Sequence, residues 1–266
     1  MLSPVWQGSR KVPALDMTED QPKSVGLGTS STPAALTFWE RVATTRWGQY
    51  VSAVEQRVIL QATAVLAKPS QALEIGCDGG RWSKMLADLG WQMTCVDVNP
   101  ETLPICRQRV PSARCVLSDA QTEVIPCESE SMDLLLCVEV GAVINSRWFL
   151  PEAHRVLRGN GVLVGICWNR ASLRGVLSRL NERLAPISNT VFYSRPYSGW
   201  KADLGRAGFE MVHEEGLCWS FFGRKSNSPL IPFCTRLERR LQLHRLTSLS
   251  PWIVFIARKG AGRVSN

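Results

Sequence analysis

Histidine is scarce in this chain: three among 266 residues, His154, His213 and His244, none near another in sequence. Nine cysteines are present, yet no two form a C-x-x-C pair. Without ligands paired at short spacing no zinc site can be read, and the expected metal is none. Nor can spacing assemble a serine–histidine–aspartate arrangement. Long apolar runs are missing too. The longest, Leu134–Ile144, is broken by Glu139 and falls far short of the ~20 residues that span a bilayer. The opening Met1-Leu-Ser-Pro-Val-Trp lacks a charged stretch followed by an apolar one, so no secretory signal is read. An odd number of cysteines, several inside apolar strands where a thiol packs as a small hydrophobe, suits a reducing compartment. The expectation is a soluble, cytoplasmic protein.

What is abundant points to one enzyme-sized core. With 45% hydrophobic residues, one domain with decorations is expected rather than two. The net charge is +8, and twelve Lys/Arg against five Asp/Glu lie from Arg195 onward. That asymmetry suits an acidic substrate, an anionic surface or RNA, or a merely solvated face. Residues 1–36, rich in Ser, Pro, Gly and Thr, read as a mobile N-terminal tail, and 261–266 as a second tail.

The chain is organised around Ala72-Leu-Glu-Ile-Gly-Cys-Asp-Gly-Gly-Arg-Trp82. An apolar run ending in glycines and then turning helical reads as strand, tight turn and helix N-terminus, a geometry that aims backbone N–H groups at an anionic ligand. About twenty residues on, Thr94-Cys-Val-Asp-Val98 reads as a second strand ending in Asp97, placed to accept ribose hydroxyls. A dinucleotide site requires G-x-G-x-x-G, but Asp78 and Arg81 occupy the second and third glycine positions. Glu74, Gly76 and Gly80 instead fit an acid followed by alternate glycines, with Asp78 the one departure.

On these residues the chain resembles the class I S-adenosylmethionine (SAM)-dependent methyltransferases, close to the broad small-molecule group. Four later blocks in the right order extend the resemblance from about Thr37 to Lys259. They are Ser118-Asp119-Ala120, the strand Met132–Val140, Phe149–Trp168 with its Leu-Arg-Gly-Asn-Gly turn, and the Asp97 strand end. It implies an α/β fold: a Rossmann-like seven-stranded sheet, mostly parallel, with an antiparallel last strand and helices on both faces. The methyltransferase domain would cover 37–260, with lid helices at 37–67 and an inserted cap segment at 223–250. The implied cofactor is SAM. Its site would be built from Glu74, Gly76, Asp78, Gly80, Asp97, Val98, Asp119, Ala120 and Val138, with Arg46, Trp47 and Tyr50 as lid residues. Trp47 and Tyr50 read equally as core aromatics. Glu139, at the end of the fourth strand, is the candidate catalytic residue, or else a carboxylate tying down the lid through Arg46.

Periodicity places further elements after Trp168: a helix over Ala171–Leu184, an irregular segment Pro186–Pro196, a helix over Trp200–Ala207, and strands Phe209–Leu217 and Trp252–Ala257. Trp168, Phe192, Tyr193 and Trp200 are expected to wall an acceptor pocket. In the segment 223–250, Leu237, Leu241 and Leu243 alternate with Arg236, Arg239, Arg240 and Arg245. Such a helix caps the site with its apolar face inward or lies on an anionic membrane; the cap is preferred. The expected activity is methyl transfer from SAM to an O, N or C atom of a small-molecule acceptor, with a peripheral membrane or lipid-like acceptor left open. Val138-Glu139-Val140-Gly141 stands where a base N-methyltransferase of the resembled group carries an Asn-Pro-Pro-Tyr-type motif, which speaks against nucleic acid. Two alternatives remain: an RNA-directed methyltransferase using the basic C-terminal region, and a non-catalytic SAM-binding regulator, suggested by Asp78. Oligomeric state is not readable.

Overall fold

In a computed structural model, described over residues 36–184 and 192–260, the order of strands explains where a ligand can sit. The seven strands are β1 (Gln71–Ile75), β2 (Gln92–Asp97), β3 (Arg114–Leu117), β4 (Met132–Cys137), β5 (Leu157–Trp168), β6 (Phe209–Leu217) and β7 (Trp252–Lys259). They form one sheet in the order β3-β2-β1-β4-β5-β7-β6. The first five strands are parallel, and β7 lies antiparallel between β5 and β6. Strand order reverses between β1 and β4, and such a switch point opens a crevice beyond the carboxyl ends of the strands. The described residues belong to one unit, Ala35–Asn266.

The central strands are apolar on both faces because helices cover both. Leu134–Leu136 of β4, Val162–Val164 of β5 and Ile253–Ile256 of β7 are buried throughout, the pattern of a sheet covered on both faces. Helices α3 (Arg81–Asp88), α4 (Leu103–Arg109), α5 (Gly141–Ile144) and α6 (Phe149–Val156) alternate with the strands. β5 begins earlier than the periodicity suggests. Gly159-Asn160-Gly161 is no separate turn, because Leu157 already pairs with Met132 and a register shift, with Asn160 at φ 65°, absorbs the extra residues.

Two helices precede β1: α1 (Phe38–Ala43) and α2 (Arg46–Val65). Thr37 caps α1 in a full capping box with Glu40, and Thr45 caps α2. Late in the chain come α7 (Leu173–Leu184), α8 (Tyr197–Arg206) and α9 (Ile231–Arg240), then a 3₁₀ turn at Leu243–Arg245. The expected tails at 1–36 and 261–266, Leu36 apart, and residues 185–191, which include the first part of the irregular segment, lie outside the described residues.

Candidate active site

The glycine-rich loop gets its shape from three left-handed residues at alternate positions: Gly76 (φ 71°), Asp78 (φ 47°) and Gly80 (φ 77°). Glycine adopts this region freely and aspartate more readily than most residues. The alternate-glycine pattern is thus a conformational pattern, and Asp78 satisfies it without being glycine. Gly80 has a second constraint, since a Cβ there would lie 2.7 Å from Cys106 Sγ. Its backbone starts α3 without a side-chain cap, so Asp78 does not cap that helix. The Asp78 carboxylate instead accepts a short hydrogen bond from Thr37 Oγ1, pinning the start of α1 above the loop. Burial raises the Asp78 pKa, with the Thr37 hydroxyl opposing.

Asp97 is held from two sides. Its Oδ2 accepts the Asp78 N–H at 2.8 Å and its Oδ1 accepts the Asn99 N–H at 2.9 Å. These bonds fix the carboxylate at the mouth of β2 while leaving lone pairs for a ligand. Ser118 N–H donates to the Asp97 carbonyl, and Asp119 Oδ1 accepts from Gln121 N–H at 2.9 Å. The next wall, Val124–Pro126, is clamped from α6: Glu152 accepts the Ile125 N–H, and Arg155 donates to the carbonyls of Ile125 and Cys127.

These walls enclose a cavity of about 390 Å³, within the range of small-ligand sites. It brings together Glu74, Gly76, Asp78, Asp97, Val98, Asp119, Ala120, Val138 and Glu139. Gly80 lies behind it, against Cys106. Of the expected lid residues, none lines the cavity. Arg46 is exposed, and its backbone N–H donates to Asn227 Oδ1. Trp47 is buried edge-on against Trp252, while Tyr50 donates to Glu238 Oε2 at 3.0 Å and accepts the Cys218 N–H. Their place is taken by Trp39 and Glu40 of α1. The capping box Thr37-x-x-Glu40 was the available signal for that helix, and Trp148 and Val124–Pro126 are further lining residues that carried none.

Glu74 forms the floor. It is 3% exposed, accepts from Ser83 Oγ at 2.5 Å, and burial pushes its pKa up to about 8 despite that bond. Behind the loop, Cys77, Cys95 and Cys106 bring their Sγ atoms within 4.8 Å of one another, a convergence from three elements that no spacing rule reveals. The hydrogen bonds of Cys77 to Cys106 and Cys95, with burial, push its thiol far up. With the Glu74 carboxyl as neighbour and every sulfur buried, the trio packs as core.

A smaller chamber of about 10 Å³, the size of one water, adjoins the cavity and shares Trp39, Arg81 and Glu139 with it. Arg81 donates to Ser52 Oγ at 2.5 Å and to Glu55 Oε2 at 3.2 Å, and stacks on Trp82. Three buried polar atoms on this chamber have no partner: Trp47 Nε1, Glu55 Oε1 and Glu139 Oε1. Burial raises the pKa of Glu139, opposed by Arg224 and Arg81; burial and then Glu139 raise that of Glu55, opposed by Arg81. Glu139 adopts φ 59°, a strained position for a non-glycine residue that aims it off the strand end. Its countercharges are thus Arg81 and Arg224, not Arg46. The Arg224 guanidinium covers Trp39 at 4.7 Å and Phe192 at 4.6 Å. Of the expected acceptor-wall residues, Trp168 packs on Phe192 and Trp252, Tyr193 accepts from Trp252 Nε1, and Trp200 sits in the core donating to the Ile144 carbonyl.

A mostly parallel sheet, a left-handed loop after β1 and a fixed acid at the end of β2 define a nucleoside-binding α/β domain. Residues 73–165 match the family model described as "Methyltransferase domain", and the sheet has the strand order of the Rossmann-like methyltransferase fold. An uncharacterized methyltransferase-like protein of Schizosaccharomyces pombe is 33% identical over 106 residues, 40% of each chain. The ubiquinone biosynthesis O-methyltransferase of Azorhizobium caulinodans is 26% identical over 162 residues, 56% of this chain and 62% of that one. Among solved structures, a SAM-dependent methyltransferase from Methanosarcina mazei superposes with TM-score 0.53 at 16% identity, over 75% of this chain and 97% of that one, a likeness of fold. The chain spans 40–55% of the length of the first curated relatives it matches. No helix among the described residues is long and apolar enough to cross a membrane.

Proposed function

We propose that this chain transfers a methyl group from SAM to an O, N or C atom of a small-molecule acceptor. One observation carries the reading. A fixed carboxylate, Asp97, and a loop with three left-handed residues flank a 390 Å³ cavity whose lining includes Glu139. The cradle fits the group: a Cβ on Gly76 would lie 2.4 Å from Val140 Cγ2, so only glycine lets the loop turn this close to Val140 at the cavity wall. Asp97 would take the ribose hydroxyls, Asp119 and the Ala120 N–H the adenine edge, and Val124, Ile125 and Trp148 its faces. The cofactor supplies an electrophilic methyl on a sulfonium.

The chain's own work is positioning and exclusion of water. Trp39 and Glu40 close the crevice from above, and Glu139, with a raised pKa and a free oxygen, is placed to accept a proton or a hydrogen bond from the acceptor. The small-molecule class is supported by the ubiquinone-pathway relative and by similarity to the malonyl-[acyl-carrier protein] O-methyltransferase of Serratia marcescens, 30% identical over 101 residues. Calorimetry with SAM tests the cofactor site. Asp97→Ala, which removes charge-assisted hydrogen bonds of ~1.5–3 kcal/mol each, should weaken binding at least tenfold. Labelled-methyl transfer over an acceptor panel tests the chemistry, with Glu139→Gln expected to lower turnover while SAM affinity stays within a few-fold. Unchanged SAM affinity in a folded Asp97→Ala protein refutes the site.

A further inference from the structure

The segment between β6 and β7 is built inside out. The expectation of a cap with its apolar face inward is corrected here: α9 buries Glu238, 8% exposed, and turns Phe233, 60% exposed, Leu237 and Leu241 to the outside. The reason is polar. The Glu238 carboxylate accepts from Tyr50 OH at 3.0 Å, Ser220 N–H at 2.9 Å and Ser220 Oγ at 2.6 Å, so the helix face bearing it is fixed against α2. The opposite consequence is an ordered apolar stripe in solvent, Leu230, Phe233, Leu237 and Leu241, at the spacing of one helix face.

Charge decides what that face suits. From Trp219 to Ser250 the charged residues are Arg224, Lys225, Arg236, Glu238, Arg239, Arg240 and Arg245. The single acid is the buried one, so every exposed charge of the segment is positive. Arg236 and Arg240, one turn apart, border the apolar stripe. RNA would use the arginines and leave the aliphatic residues wet, and a second copy would bring positive charge against positive charge. We propose that this face docks on an anionic lipid bilayer, with the stripe in the acyl boundary and the arginines among the headgroups. The same segment braces α1 and α2: the Arg224 carbonyl accepts from Thr45 Oγ1, the Ser226 carbonyl from the Trp47 N–H, and the Arg224 guanidinium lies over Trp39. Docking therefore engages the segment that braces α1 and α2. It stands apart from the methyl-transfer reading, because it rests on the outer face alone.

Co-sedimentation of the full chain tests it, using vesicles of phosphatidylcholine with and without 30 mol% phosphatidylserine at low and high salt. Binding should be at least tenfold tighter to the anionic vesicles and weaken with salt. Arg236→Glu with Arg240→Glu, and separately Phe233→Ser with Leu237→Ser, should each lower it at least tenfold while calorimetric SAM affinity stays within a few-fold. No anionic preference in the wild type, or retention of binding in either double variant, overturns the proposal. So does a dimer in sedimentation velocity that the Phe233→Ser, Leu237→Ser protein loses, or RNA binding tighter than vesicle binding.

Discussion

Whether Asp78 is damage or design turns on its bond to Thr37, and that bond can be removed from either end. Thr37 Oγ1 both accepts the Glu40 N–H, at 3.3 Å, and donates to Asp78. A hydrogen bond to a charged group contributes ~1.5–3 kcal/mol net, which corresponds to roughly ten- to hundredfold in a local opening equilibrium. α1 is only six residues long, and its other ties include the Glu40–Arg109 ion pair, with Arg109 bonded to the Gly79 carbonyl at 2.6 Å, and the Arg224 guanidinium over Trp39. Thr37→Val should therefore speed amide exchange at Arg41–Thr45 by ten- to hundredfold, with little change in β4 or β5. Asp78→Gly should do the same. Easing the left-handed backbone there is offset by the greater chain entropy of glycine, about 0.5–1 kcal/mol, so loss of the tether remains. Asp78→Asn keeps an acceptor and tolerates the same φ, and should speed exchange severalfold at most. Because Trp39 and Glu40 close the cavity, the two tether-breaking variants should also release SAM faster. Exchange in Thr37→Val matching wild type would show that the bond does not hold the lid. Tighter SAM binding in both Asp78→Gly and Asp78→Asn would mean that its charge, not its tether, dominates.

Two further outcomes are expected. Glu74, with its pKa raised from 4.5 to about 8, favours the folded state in its neutral form. That contribution is fully present below about pH 4.5 and is lost as pH rises through about 8, amounting to about 5 kcal/mol at 1.36 kcal/mol per pH unit. Urea melts should show stability falling between pH 5 and 8 in wild type and a flatter profile in Glu74→Gln; equal slopes would refute it. Gly80→Ala meets both a positive φ and Cys106 Sγ at 2.7 Å, and should cost roughly 1–3 kcal/mol. Adding Cys106→Ala should recover part of that loss in thermal melts, and no recovery would place the whole cost in the backbone.

Sequence reached furthest where function is written along the chain and least where it arises from packing. The β1 loop and Asp97 were legible because strand, turn and acid follow one another, and the βαβ alternation gave the sheet. The lid was not. A helical period runs unbroken from Phe38 to Val65, but the helix bends at Thr44–Thr45, where a Cβ on Gly48 would lie 1.9 Å from the Val42 carbonyl oxygen. That elbow sends α1 over the crevice and turns Trp47 and Tyr50 of α2 into the core. The amphipathic pattern of α9 was visible, yet its orientation depended on Glu238 finding Tyr50 and Ser220 across the fold, which spacing cannot express. The three converging thiols escaped for the same reason.

The unpartnered oxygens of Glu55 and Glu139 give the small chamber beside the cavity a chemical consequence. Glu139 raises the cost of ionising Glu55, and Arg81 favours the charged form of both. Two buried acids beside one guanidinium are most stable with one of them protonated. Arg224 tips that balance towards an ionised Glu139, and Arg224 belongs to the segment whose outer face is apolar and basic. Loop, lid and insertion thus meet at one carboxylate. Its protonation depends on Arg81 and Arg224, far apart in sequence, which is why the chemistry of this site can be argued from the folded chain and not from the cofactor motif alone.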